Sequence, residues 1–290
     1  MSHRNTIYLE DTEIVSHNEF QNDQFIITLR APKVSVKAKP GQFVHLQCDE
    51  SIPMRRPLSI LAADIPNNCI SIMYRPMGDG LRILSKKIKG ETINILGPIG
   101  NGFQVPQEKT ILALGGGVGI PPVYFQSEKT SQNKQPCLLF MGSEIGFPFD
   151  LQTSTKPIYA NEPNNMLSLK ALNNPFIQTR LASLEDHNGV HKGYVTDLAR
   201  NWINNNSIDT NNLHIIACGP EPMLEAVAKL AHEFDVACDI AVEEFMACAI
   251  GGCAGCAIKV HKNKNDWEMK KVCVDGPIFS AKSIYPEIYH

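Results

Sequence analysis

The chain is 290 residues long, 43% hydrophobic and 20% charged, with a formal net charge of −3 and a sequence pI near 6.3. That length is too great for one small domain and supplies apolar material for two or three cored ones. The charge balance excludes a nucleic-acid footprint, and the strand-sized apolar runs exclude a helical membrane span. The polar start, MSHRNTIYLEDTEIV, lacks the apolar core of a signal peptide. The cysteine count is odd, nine, and four cysteines sit in one segment. That pattern points to a reducing compartment and a cytoplasmic protein.

From Asp23 to Gly97 the sequence reads as short strands broken by turns: Phe25–Leu29, Phe43–Leu46, Leu58–Leu61, Ile70–Tyr74 and Thr92–Leu96. Pro40-Gly41, Pro66-Asn67-Asn68 and Lys89-Gly90 punctuate them. A small antiparallel barrel is the natural closure for strands at this spacing, with one helix near residues 81–88. The character changes after Pro106. Strands at Thr110–Leu114, Cys137–Met141, Phe176–Arg180 and Leu213–Ala217 alternate with helices opening at Ile120, at Val195 (to Asn204) and at Glu221 (to Phe234). Such alternation gives a parallel sheet. Residues 151–175, rich in Asn, Pro, Ser and Thr, read as an irregular connection.

Met54-Arg55-Arg56-Pro57-Leu58-Ser59-Ile60 falls between two barrel strands, an arginine fork beside a hydroxyl, suited to a phosphate or pyrophosphate. Alone, such a pair is more often a solvated edge. Tyr74-Arg75 and Gly78-Asp79-Gly80 at a helix start add a second arginine and free backbone N–H groups, making a dinucleotide cradle. Gly115-Gly116-Gly117-Val118-Gly119 follows a buried strand and precedes a helix. It is not G-x-G-x-x-G, so a nucleotide turn and a plain tight turn stand level. Cys218-Gly219-Pro220 ends a later strand of the same sheet, where ligands of such sheets gather, although a lone cysteine there is usually a small buried hydrophobe. Cys48, Cys69, Cys137 and Cys238 have no ligand spacing, and the nine histidines form no catalytic constellation.

The segment from Glu243 to Phe279 carries the strongest signal. Cys248, Cys253 and Cys256 stand as C-x4-C-x2-C, and Cys273 follows after sixteen intervening residues. That is the plant-type ligand pattern of a [2Fe–2S] cluster. Zinc is the weaker alternative because only one C-x2-C is present, and a purely structural role is weaker still. Gly251, Gly252 and Gly255 would permit positive φ and bring backbone N–H groups to the sulfides, while Ala247, Ala249, Ala254 and Ala257 keep bulk away.

These landmarks, in this order, resemble the ferredoxin-reductase-like flavoproteins and, within them, the electron-transfer subunits of NAD-dependent dihydroorotate dehydrogenases. The resemblance spans roughly residues 10–285. It rests on RRPLSI at 55–60, MYR at 73–75, GDG at 78–80, LGPIGNGF at 96–103, GGGVGIPP at 115–122, HKGYVTDL at 191–198, CGPEPML at 218–224 and the cysteine segment ending VCVDGPIF. It implies an FAD-binding barrel over 1–105, an NAD-binding Rossmann-like α/β domain over 106–240 and a small cluster domain over 241–290. It further implies FAD contacts from Arg56, Pro57, Leu58, Ser59, Met73, Tyr74, Arg75, Gly80 and Leu81. Leu81 departs from the Gly-Thr usual there; the lost hydroxyl would weaken FAD binding without abolishing it. Phe245 and Ala249 stand where the family more often has a basic residue and Gly.

The implied path runs from NAD(H) through FAD and the cluster to an FMN-containing dihydroorotate dehydrogenase catalytic subunit, as two copies of each chain, with net flow toward NAD⁺. No residue set for the dihydroorotate step is visible here. NADH is expected over NADPH, because Gly142-Ser143-Glu144 follows a sheet strand with no nearby Arg or Lys and an acidic residue there accepts from ribose hydroxyls. Two other readings share parts of this signature: a reductase subunit serving a hydrogenase, a ferredoxin or another oxidoreductase, and a redox-sensing cluster protein without turnover. The arginine fork and glycine turn argue against the last, since a sensor needs no hydride donor.

Overall fold

Six strands close into an antiparallel barrel in the order β1-β2-β5-β4-β3-β6. They are β1 (Tyr8–Phe20), β2 (Gln24–Arg30), β3 (Phe43–Gln47), β4 (Arg56–Asp64), β5 (Cys69–Tyr74) and β6 (Thr92–Ile99). The computed structural model describes residues 6–206 and 208–289; residues 1–5, which open the polar stretch read above, lie outside them, as do Ser207 and His290. Alternating β-branched residues fill the barrel, with Ile14, Ile27, Leu29, Ile60, Ile70, Ile72 and Ile95 all fully buried. Two short helices decorate it, α1 (Pro32–Lys37) and α2 (Gly78–Leu84). The helix expected at 81–88 therefore begins earlier and stops sooner: Ser85 caps it, and the chain turns through Gly90 at φ +91°. Arg56 to Ser59 lie within β4 rather than between strands.

The second architecture is a seven-stranded sheet in the order β12-β11-β8-β7-β13-β14-β17. Its members are β7 (Thr110–Gly116), β8 (Cys137–Gly142), β11 (Ile177–Ser183), β12 (His191–Lys192), β13 (Leu213–Cys218), β14 (Ala237–Ala241) and β17 (Ile278–Ser280). The run β12-β11-β8-β7-β13 is parallel throughout. Ile111–Leu114 and Ile215–Ala217 have no exposed surface, the continuous apolar reading of strands covered on both faces. Helices α3 (Ile120–Gln132), α4 (Val195–Asn205) and α5 (Glu221–Glu233) alternate with these strands, and α6 (Ala281–Ile284) follows β17. Trp202 of α4 meets Phe140 of β8 edge-on at 6.4 Å.

The stretch 151–175 is not wholly irregular. It contains a hairpin, β9 (Leu151–Thr153) with β10 (Leu167–Leu169), and it is anchored by a fully buried ion pair. Arg180 donates from Nε and Nη2 to the two carboxylate oxygens of Glu162 at 2.7 and 2.6 Å, and from Nη2 to the Lys156 carbonyl at 2.6 Å. Three-residue strands amid Asn and Pro leave too short a pattern for periodicity to register. A final ribbon pairs β15 (Ala257–His261) with β16 (Trp267–Lys271).

The chain divides into two units. The first runs to Phe103 and resumes with Ala241–Val260 and Glu268–Ile278; the second takes Gln104–Ile240, His261–Trp267 and the residues from Phe279 on. In the first, Asn101 donates to the carbonyls of Val274 and Asp275 at 3.0 Å, so the cysteine segment is bonded to the end of β6. Among the described residues no helix is long and apolar enough to cross a membrane.

His45 of β3 is 1% exposed, and neither ring nitrogen has a hydrogen-bond partner among the described residues. Burial first, then the Arg55 and Arg56 guanidiniums, hold it down to about 4, against 6.5 for an ordinary histidine. Between those values the unfolded chain binds the proton and the folded one does not, so stability falls as pH falls from 6.5 toward 4. Denaturant titrations at pH 7 and pH 5 should differ by about 2 kcal/mol more in the wild type than in His45→Gln. Equal pH dependence in both proteins would show that His45 accepts its proton without penalty.

Candidate functional site

Three groups of the expected residues are brought together, each by elements described above. In the first unit the arginine fork is split by function. Arg55 is spent on the barrel: it donates to the carbonyls of His45 (3.1 Å) and Asn94 (3.3 Å) and to the side-chain oxygens of Gln47 and Asn94, tying β3 to β6. Among the described residues Arg56 donates to local carbonyls, those of Met54 at 2.8 Å and Arg55 at 3.2 Å. Its guanidinium lies beside the start of α2, where a Cβ built on Gly80 would sit 3.4 Å from Nε and 3.5 Å from Cζ. A side chain's Cβ at Gly80 would make ordinary van der Waals contact there, so the guanidinium lies close against the first turn of α2. The Cys48 thiol, also 3.4 Å from that point, is a neighbour that spacing in the sequence gives no means of finding.

Arg75 follows β5, and its buried Nε has no partner among the described residues, a donor left for a ligand. Tyr74 is different. Its ring stacks on Phe25 at 5.4 Å and its hydroxyl meets His17 Nε2 at 2.8 Å. His17 Nδ1 lies 2.7 Å from the Lys87 carbonyl, which can only accept. Nδ1 therefore carries a hydrogen, and in the neutral ring Nε2 accepts from the Tyr74 hydroxyl, which points inward. Tyr74 and the buried Met73 thus present backbone, not side-chain groups, to any ligand on this strand. Pro57, Leu58 and Ser59 are half-buried, opposite His45, Val44 and Phe43. Leu81 is 9% exposed, so its apolar side chain is packed away from solvent.

In the second unit the glycine turn and Cys218-Gly219 meet at the C-terminal ends of adjacent strands, Gly115 lying opposite Cys218. A Cβ on Gly119 would lie 2.5 Å from the Gly219 nitrogen and 2.6 Å from the Cys218 carbonyl carbon. One on Gly115 would lie 2.8 Å from Val123 Cγ2, and one on Gly116 or Gly219 would strike Met223 Sδ. At Gly119 the obstacle is backbone, so glycine is required there; at Gly116 and Gly219 it is the flexible end of Met223, which would have to shift. Gly117 differs: a Cβ there would meet nothing within 4 Å, and its φ of +54° is what favours glycine. Pro121 and Pro122 lack two N–H groups that the first turn of α3 would otherwise present. A bound phosphate is thereby left to the turn's own backbone. Glu144 is exposed just beyond β8.

The cysteine loop returns to the first unit. Cys256 stands before β15 and Cys273 just beyond β16, and the ribbon brings their sulfurs to 3.3 Å. Cys248 and Cys253 form a second pair. Burial would raise the Cys248 thiol, but the N–H of Ile250, the Cys253 thiol and the N–H groups of Cys253 and Gly252 converge on it and hold it down to about 6. Burial and the neighbouring Cys256 push Cys273 up to about 12. Among the described residues no three His, Cys, Asp or Glu groups converge on a single ion. Two pairs fit two irons that each take two thiolates, whereas structural zinc wants four ligands about one centre.

The left-handed positions differ from expectation. Only Gly251 among the three glycines has positive φ, at +87°, and a Cβ there would meet Val274 Cγ2 at 2.6 Å. Ala249 and Ala254, both at φ +55°, turn the loop, each at a cost of about 1–2 kcal/mol over glycine. Gly252 and Gly255 serve proximity instead: Gly255 N–H donates to Cys253 Sγ at 3.4 Å, and a Cβ on Gly252 would lie 3.9 Å from Cys248 Sγ.

A closed antiparallel barrel, a parallel sheet with a glycine turn and a cysteine loop on a ribbon define an electron-transferring oxidoreductase of ferredoxin-reductase-like fold. Residues 113–229 match the family model for an oxidoreductase NAD-binding domain, and residues 243–285 match that for the iron-sulfur cluster binding domain of dihydroorotate dehydrogenase B. The chain is 32% identical over 248 residues to the dihydroorotate dehydrogenase B (NAD(+)) electron transfer subunit of Caldanaerobacter subterraneus, covering 86% of this chain and 87% of the relative. It is 32% identical over 280 residues to the subunit of the same name from a Geobacillus species, covering 95% and 98%. The chain belongs to the family of dihydroorotate dehydrogenase B (NAD(+)) electron transfer subunits. That name, borne by the relatives, implies a catalytic partner subunit.

Solved structures agree in fold. The NADH-dependent reduced ferredoxin-NADP oxidoreductase studied for flavin-based electron bifurcation superposes with a TM-score of 0.76 at 24% identity, over 96% of this chain and 91% of that one. The ferredoxin reductase in carbazole 1,9a-dioxygenase gives 0.61 at 18% identity, over 79% and 67%.

Proposed function

We propose that this chain passes electrons between NAD(H) and an FMN-containing catalytic subunit that oxidises dihydroorotate, by way of FAD and a [2Fe–2S] cluster, in an assembly of two plus two. Residues 1–105 hold FAD, 106–240 hold NAD(H) and 241–290 hold the cluster. The observation that carries the reading is the two-and-two gathering of Cys248 with Cys253 and of Cys256 with Cys273. A bound flavin accepts two electrons as hydride and releases them singly, and a cluster accepts one at a time, so the pair together couple NAD(H) to a one-electron carrier.

The residues divide the labour. Arg56, Arg75 and the backbone at Gly80 and Leu81 hold FAD's anionic oxygens, with Ser59 as a neutral donor and Pro57, Leu58, Met73 and Tyr74 lining the strands beside them. Gly117 presents its backbone to the nucleotide phosphates; Gly115, Gly116, Gly119, Cys218 and Gly219 let the two turns approach closely enough to form the floor. Glu144 accepts from ribose hydroxyls and disfavours a 2′-phosphate. Cys253, exposed, and Phe245, 92% exposed, give the partner a face beside the cluster ligands. No acid–base pair for dihydroorotate is assigned here, so that chemistry falls to the partner.

Purified alone, the protein should reduce artificial acceptors with NADH in preference to NADPH and leave dihydroorotate untouched. Mixed with the FMN-containing subunit, it should reduce NAD⁺ when dihydroorotate is added. A clear NADPH preference would remove the Glu144 assignment. Indifference to that subunit, with reduction of a ferredoxin or hydrogenase instead, would transfer the same site residues to another partner.

A further inference from the structure

Five lysines, Lys259, Lys262, Lys264, Lys270 and Lys271, lie on or between the ribbon strands. The structure separates one of them from the rest. Lys270 pairs outward with Glu268 at 3.0 Å. Lys271 reaches across the ribbon instead, and its Nζ donates to the Gly251 carbonyl at 2.7 Å, twenty residues away in sequence. Gly251 is the left-handed turn between Cys248 and Cys253, and Lys271 stands two residues before Cys273. One ammonium therefore joins the loop that carries three of the cysteines to the strand end that carries the fourth. The rest of the residue is held firmly. Its N–H donates to the Asp275 carboxylate at 2.8 Å, and its carbonyl accepts from the N–H groups of Val274, Asp275 and Gly276.

Reducing a [2Fe–2S] cluster adds one negative charge among four thiolates. A cation fixed at the loop stabilises that state, because cluster potential follows local charge and hydrogen bonding. We propose that Lys271 is a positioning residue of the cluster site, which pins the Gly251 turn and sets how readily the cluster accepts an electron. The Asp275 carboxylate meets Lys271 at its backbone N–H rather than at its ammonium. The inference rests on the assignment of the four cysteines as cluster ligands.

The test uses anaerobically purified holoprotein with FAD and cluster in place, comparing the wild type with Lys271→Met, Lys271→Gln and Lys271→Arg. Iron, acid-labile sulfide and flavin are counted, and the reduced cluster is followed by electron paramagnetic resonance through a redox titration. At the wild-type midpoint, Lys271→Met should hold its cluster mostly oxidised, with an oxidised-to-reduced ratio about tenfold higher, ~59 mV for a one-electron couple. Lys271→Arg should stay within about twofold of the wild type, since it keeps the charge. Lys271→Gln keeps a donor for Gly251 but no charge, so it should follow Lys271→Met. An unchanged midpoint in either neutral variant would overturn the proposal. So would loss of the cluster from all three, which would assign the lysine to folding alone. Loss from the neutral variants with full retention in Lys271→Arg would support it. A wild type without iron and sulfide would overturn the cluster assignment and this proposal with it.

Discussion

Cys273→Ser should give a protein that keeps its FAD and its NADH-to-dye activity, yet contains no acid-labile sulfide and supports no dihydroorotate-dependent NAD⁺ reduction. Serine nearly preserves volume at a site 2% exposed, so the ribbon keeps its packing. What is lost is a thiolate, and a hydroxyl does not ionise near neutral pH to replace it. The coupled rate should fall to background because every electron must pass the cluster to leave the chain. The flavin should be spared, since its proposed contacts lie on β4, β5 and α2, remote in sequence from the ribbon. Iron, sulfide and flavin analysis with both assays on one preparation decides the matter. One equivalent of zinc with no sulfide in the wild type would sink the assignment, as would a full cluster in Cys273→Ser.

Arg56→Ala should weaken FAD binding by roughly tenfold to a hundredfold, the loss expected for a charge-assisted hydrogen bond of about 1.5–3 kcal/mol. Ser59→Ala should cost about twofold to tenfold, as a neutral bond does. Arg55→Ala should behave differently. Its guanidinium joins β3 to β6 through the His45 and Asn94 carbonyls, so its removal should lower thermal stability of the apoprotein more than flavin affinity. Equilibrium dialysis of FAD and apoprotein melting separate the two outcomes. If Arg55→Ala sheds flavin at unchanged stability while Arg56→Ala retains it, the two arginines have been assigned in the wrong order.

How much of this was legible depended on whether burial coincided with apolarity. Five barrel strands announced themselves because their inward residues are Ile, Leu and Val. Strand β1 did not. In YLEDTEIVSHNEF the buried positions are Glu10, Thr12 and Ile14, and two of the three are polar. Glu10 is buried to accept the N–H groups of Lys33 and Val34, and Thr12 donates to the Ile93 carbonyl, so tertiary bonds replace the alternation that a strand normally displays. The glycine turn was legible as a turn, but which of its glycines packs and which stands in open space depended on Met223 and Gly219, a hundred residues later. The cysteine spacing was legible outright, because a cluster imposes it. Lys271 was not, because one lysine among five carries no mark of the carbonyl it reaches. Nor was the use of left-handed alanines at 249 and 254, where glycine would be the ordinary choice.

The bonds from Asn101 to Val274 and Asp275 have a consequence for synthesis. The barrel's closing segments, Ala241–Val260 and Glu268–Ile278, emerge only after the whole of Gln104–Ile240 has been made. At ~5–20 residues per second that interval is roughly 7 to 27 seconds. During it the barrel must wait with the carbonyl partners of Asn101 not yet translated, while the nucleotide-binding strands β7, β8, β11 and β13 emerge in sequence order. The thiols of Cys248, Cys253, Cys256 and Cys273 thus become available only after that interval. The four cysteines are therefore made after every strand of the barrel and after β7, β8, β11 and β13.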